Sequence, residues 1–222
     1  MLRFGANAKM KARGRRRNTG FQIALNKTLI TLGKLLLPRM EESDLILQQS
    51  KAWIKKFVLE MGLCPFAKPI WDARLIHFQL SQAEAPDKII EDVFLLCEKV
   101  VNTSPEEIET AILILPKAQS DFAAYLDMLD TLNELLEEAE LEGVLQIASF
   151  HPHYQFDGTG EYAPENFTNR SPFPMFHILR EESVSAAIEN FPNVDDIPLR
   201  NIEKMEGLGI SHIRGLLKTV ME

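Results

Sequence analysis

Cysteine is scarce: the 222-residue chain holds only Cys64 and Cys97. They form no CxxC pair, so no disulfide framework can be read, and two free thiols in a reducing compartment are the expectation. No run reaches the about 18 apolar residues that a membrane-spanning helix needs. None of the standard zinc-ligand spacings occurs. The body of the chain has neither an internal repeat nor a low-complexity tract. Acidic residues are missing altogether from residues 1–39, which carry ten Lys or Arg.

That last absence divides the chain by charge. The whole carries −8, but residues 40–222 hold 14 basic against 32 acidic residues, a net charge of −18. A body so acidic repels phosphate backbones, which argues against nucleic-acid binding by the main domain. Residues 1–39 have three readings. They are an organellar transit peptide, a basic arm touching nucleic acid or anionic lipid through Arg13 and Arg15–Arg17, or an over-extended start upstream of Met40. The organisation expected is a basic extension over 1–39 and a single α/β domain over 40–222. The expected location is the cytoplasm, or an organelle if the extension is a genuine transit peptide.

The apolar spacing of the body predicts its elements. Leu47 to Met61 reads as a helix, with Ile54, Phe57, Val58 and Met61 on one stripe and Gly62 as its stop. RLIHFQLS alternates as a half-buried strand. Pro86 opens a helix whose stripe is Ile89, Val93, Leu96 or Cys97, and Val100. AILILP over 111–116 reads as a central strand covered on both faces. Ser120 and Asp121 cap a helix running to Glu140 with Phe122, Leu126, Leu129, Leu132 and Leu136 inward, and a third strand follows over 144–150. Helices are expected near 172–191, 198–206 and 210–221. The α-β-α-β-α-β order points to an α/β fold with a mainly parallel three- to four-stranded sheet, flanking helices and a C-terminal helical segment.

Chemistry concentrates in one stretch. Residues 147–181 hold three of the five histidines, together with Arg170 and Arg180, directly after the third strand. In open α/β sheets ligands sit outside the carboxyl ends of strands, so this segment and the turns at Ser81 and Pro116–Ser120 are expected to converge. His151 is the candidate general acid or base. His151 and His153 could face a metal with His177, Asp157 or Cys64 completing the set, although free acid–base histidines look the same. Ser171 reads as the N-cap of a helix with Pro172 at its first position, so Arg170, assisted by Asn169, is placed to hold a carboxylate or phosphate. Pro172 and Pro174 remove donors from such a site. His177 is expected on the inward stripe of that helix with Arg180 one turn on. Cys64 follows a helix end, where thiols are not activated, but it remains a candidate nucleophile beside His151. Each of these residues also has a structural reading, as a hydrogen-bonded anchor of a long loop.

GLCPFAKP (62–69), ASFHPHYQF (148–156) and NRSPFPMFHILRE (169–181) together resemble the uncharacterised, mainly bacterial family called domain of unknown function 1415. The resemblance covers about Ser50 to Lys218. It implies that Cys64, Pro65, His151, Pro152, Asn169, Arg170, Ser171, His177 and Arg180 occupy the family's motif positions. It also implies that an acidic residue is usual where this chain has His153, which weakens a metal site. It brings no activity, substrate or cofactor. The leading expectation is a small soluble enzyme acting on an anionic small molecule. His151, Cys64 and His177 would be catalytic, and Asn169, Arg170, Ser171 and Arg180 would bind substrate. The alternatives are a non-catalytic ligand-binding or interaction module, and a metal-dependent hydrolase.

Overall fold

Four strands carry the architecture of the computed structural model, which describes residues 42–118 and 121–222. Residues 1–39, with their three readings, and the expected cap Ser120 lie outside the described residues. Residues 42–53 form α1, which continues as a π-helical stretch, Ile54–Glu60. Gly62 follows with a φ of 63°, the left-handed conformation that ends helices and favours glycine. The connecting segment then makes a short helix, α2 (Ala67–Asp72), before β1 (Ile76–Leu80). The order continues α3 (Pro86–Val101), β2 (Thr110–Ile114), α4 (Phe122–Glu138) and β3 (Leu145–Phe150).

Each of these elements has a local cause. Pro86 starts α3 where its missing N–H costs nothing. The Asp121 carboxylate accepts the Ala123 N–H at 3.0 Å and caps α4. Every residue of β2 is buried, as its unbroken apolar run requires.

The expected helix over 172–191 is not there. A strand, β4 (Met175–Arg180), comes first, and only then α5 (Glu181–Glu189). Prolines are the cause. A residue before proline is pushed into extended backbone, so Ser171 before Pro172 and Phe173 before Pro174 draw the chain out straight. Ser171 is therefore no N-cap. Its buried hydroxyl donates to the Phe173 carbonyl at 2.6 Å. The chain closes with α6 (Ile197–Leu208) and α7 (Ile210–Met221), near their expected positions.

The strand order is β1-β2-β4-β3. β1 pairs parallel with β2, while β4 runs antiparallel to both β2 and β3. The sheet is mixed, a correction to the mainly parallel expectation, because the misread segment inserts between β2 and β3 in the opposite direction. β1, β2 and β3 still point the same way, so their carboxyl ends and the start of β4 share one edge.

Pleating sends alternate side chains to two layers. On one face Leu113, Phe176, Ile178 and Leu145 pack with Val93, Leu96 and Cys97 of α3 and Tyr125, Leu132 and Leu136 of α4. On the other, Ile112, Ile114 and Met175 pack with Trp53 and Phe57 of α1, Met205 of α6 and Ile213 and Val220 of α7. Among the described residues, no helix is long and apolar enough to cross a membrane.

Candidate functional site

The sequence-rich loop is tied to itself. His151 leaves the end of β3 on the α4 face, fully buried, with its ring 4.9 Å from that of Tyr125 and 5.2 Å from that of Phe122. Its backbone N–H donates to the Asn169 carbonyl, and its Nδ1 accepts the His153 N–H at 3.0 Å. Asn169 donates through Nδ2 to the Ser149 carbonyl at 3.1 Å. Arg170 donates from Nε to the Tyr154 carbonyl (2.9 Å) and from Nη2 to the Glu161 carbonyl (2.7 Å), with its guanidinium 4.6 Å from the centre of the Phe167 ring. Burial, and then the nearby Arg214, lowers its pKa from the ordinary arginine value. These contacts make Arg170 a clamp for residues 154–161, with its Nε and Nη2 directed at backbone carbonyls.

Two residues complete the clamp that the sequence reading passed over. Asn166, fully buried, accepts the Phe156 N–H (3.0 Å) and the Thr159 hydroxyl (2.9 Å) and donates to the Gly160 carbonyl (2.9 Å). Tyr125 donates its hydroxyl to the Met175 carbonyl (2.8 Å) and accepts the Phe150 N–H (3.2 Å), joining β3 to β4 at the shared edge. The signal for Asn166 was an amide inside a loop already dense in polar residues. For Tyr125 it was only an aromatic one turn into an apolar helix.

His177 belongs to a different place. As a β4 residue paired with Ile112 and Ala148, it points to the α1 face, opposite His151. There it lines a cavity of about 310 Å³ between the sheet and α1, α2 and α5. Trp53, Cys64, Thr110, Ala148 and Val184 are on the same lining. Two other hollows, between α3 and α4 and beside the edge strand β1, are more open to solvent. The structure therefore brings Cys64 and His177 to one cavity, and leaves His151 in the other layer.

The hydrogen-bond geometry fixes the tautomer of His177. The Thr110 hydroxyl lies 2.6 Å from the Ile178 carbonyl and 2.7 Å from His177 Nε2. A carbonyl can only accept, so the single hydroxyl proton goes to Ile178, and Nε2–H must donate to the threonine oxygen. The Nδ1 lone pair is then left on a neutral ring. Burial alone lowers the His177 pKa from 6.5 to about 4, so the ring stays neutral at physiological pH.

The rest of the lining is mainly apolar, with Glu109, Gln146 and Ser183 among its polar members. Trp53 is 1% exposed, and its indole N–H has no acceptor among the described residues. Burial raises the Cys64 thiol above its ordinary value, outweighing the lowering by hydrogen bonds with the Phe66 and Ala67 backbone, so it is not an activated nucleophile. Arg180, on the rim, donates to the Val100, Thr103 and Ile108 carbonyls and anchors the end of α3. Among the described residues, no three His, Cys, Asp or Glu side chains gather as metal ligands.

A family model described as "Protein of unknown function (DUF1415)" matches residues 45–215. The chain belongs to that family. Neither a curated protein nor a solved structure matches it. The DUF1415 match spans the clamped loop, β4 and the whole cavity lining, so both candidate sites lie within the family's own stretch of sequence.

Proposed function

We propose that this DUF1415 protein is a small-molecule-binding domain whose ligand seats in the cavity beneath His177. The observation that carries the reading is an apolar, molecule-sized hollow whose lining includes the His177 ring and Trp53, whose buried indole N–H has no acceptor among the described residues. Ligand sites combine apolar walls with a few placed donors and acceptors, at volumes of about 300–1,000 Å³. The cavity, at about 310 Å³, lies at the small end of that range. A buried donor left unpaired costs about 1–3 kcal/mol, which a ligand acceptor opposite Trp53 Nε1–H would offset. The π-helical stretch immediately after Trp53 adds support, since such turns collect at functional sites.

This reading departs from the expectation of an enzyme acting on an anion. Arg170 and Arg180 direct their hydrogen bonds at main-chain carbonyls, and the Cys64 thiol is held protonated. A substrate carboxylate would have to displace those bonds.

The test is a fluorescence titration of the full chain with N-phenyl-1-naphthylamine, an uncharged apolar dye. A saturable rise is expected, with affinity falling about tenfold or more in Ala148→Phe, whose ring fills the cavity from β3. No binding, or equal binding by a folded Ala148→Phe variant, would sink the proposal.

A further inference from the structure

We infer that the ligand presents an uncharged hydrogen-bond donor, a hydroxyl or an N–H, to the Nδ1 lone pair of His177. This inference rests on the cavity reading above and names the ligand chemistry that the cavity selects. The argument begins at Thr110. Its one proton is committed to the Ile178 carbonyl, so its oxygen can only accept from His177 Nε2–H. Thr110 is buried at 3% exposure and sits on a strand in register with Leu179, so this polarity is held by the sheet itself. The histidine therefore faces the cavity as a fixed acceptor, complementary to a donor and mismatched to another acceptor.

Charge narrows the class further. Cys64 before α2, Glu109 before β2, Thr110 of β2, His177 and Arg180 of β4 and Ser183 of α5 are the titratable or hydroxyl-bearing groups that border the hollow. Arg180 spends its Nη2 on three carbonyls, and Glu109 opposes an anion. A carboxylate or phosphate would have to compete with those carbonyls for the Arg180 guanidinium and would meet Glu109 on the same lining. An ammonium would suit Nδ1 but would be stranded among Ile54, Val58, Ile112 and Phe150, where burying a charge is costly. Trp53, also on the lining, carries a buried indole N–H with no acceptor among the described residues. The ligand class is a neutral, compact, mainly apolar alcohol, phenol or N–H heterocycle, with an acceptor atom within reach of the indole.

His177 is thus a specificity-determining residue, and matched probes separate this claim from the cavity reading. At neutral pH the full chain is titrated with 1-naphthol and with two analogues lacking the donor, naphthalene and 1-methoxynaphthalene. A preference of about tenfold for 1-naphthol is expected, and it should vanish in His177→Phe while naphthalene binding persists. If all three bind equally, the inference fails and the cavity reading survives. If none binds, both fail. A preference that persists in folded His177→Phe also overturns it, since another group must then accept the proton. Should that variant not fold, the imidazole ¹⁵N resonances of the wild type decide: Nδ1 must shift with 1-naphthol and not with naphthalene.

Discussion

His177 owes its neutrality to burial and its orientation to one threonine. The folded chain holds it near about 4, whereas an unfolded chain holds it near 6.5. Between those values the unfolded state binds a proton that the folded state refuses. Stability therefore falls as pH drops from above 6.5 towards 4, by at most roughly 3 kcal/mol. In urea melts across that window, His177→Phe should flatten the slope relative to wild type. An unchanged slope would place the proton elsewhere. Arg170 supports a second expectation at this scale. Arg170→Ala removes two charge-assisted bonds from the 154–161 loop and should cost about 2–4 kcal/mol. Ligand affinity should be unaffected, because Arg170 is not on the cavity lining. A binding loss without a stability loss would revive an anion site at Arg170. The residue types at the loop were legible in the sequence, down to His151, Asn169, Arg170 and Ser171. Their roles were not, since an arginine that clamps carbonyls and one that grips a phosphate are spelled alike. Trp53 and Thr110 were missed because nothing local marks an indole for a cavity wall, or a strand-end threonine as the partner of a histidine far along the chain.

At the scale of elements, β4 is the point on which the fold turns. The helix expected over 172–191 puts His177 on an inward stripe, whereas the chain there crosses from strand into α5. A six-residue, mainly apolar run such as Met175–Arg180 is too short for its period to separate a strand from a helix. The two prolines carried the better signal. α3, α4 and α6 were legible because Pro86, Asp121 and Pro198 mark their starts, and α7 because of its apolar stripe. Arg180, at the end of β4, holds the Val100, Thr103 and Ile108 carbonyls and so fixes the α3–β2 connection. Arg180→Met should destabilise the chain by about 2–3 kcal/mol through those unpaired carbonyls, with Arg180→Lys recovering part. Dye affinity measured below the melting range should change little in either. If Arg180→Met abolishes binding while leaving Tm intact, the residue holds ligand rather than helix.

In the whole molecule, the sheet separates two kinds of polar site. The α4 side seals His151 under Tyr125 and Phe122, and the adjoining loop closes its own hydrogen bonds through Asn166 and Arg170. The α1 side leaves a hollow with His177 on its floor and Trp53 on its wall. Recognition requires that a ligand enter this second layer. The chain contains two tryptophans, Trp53 and Trp71, and only Trp53 lines the cavity. The most direct measurement is therefore the indole Nε1–H resonance of each tryptophan, assigned with Trp71→Phe, while 1-naphthol is titrated into the full chain. The Trp53 resonance should move saturably and the Trp71 resonance should stay in place. A Trp53 resonance that does not move while 1-naphthol binds would contradict the cavity as the site.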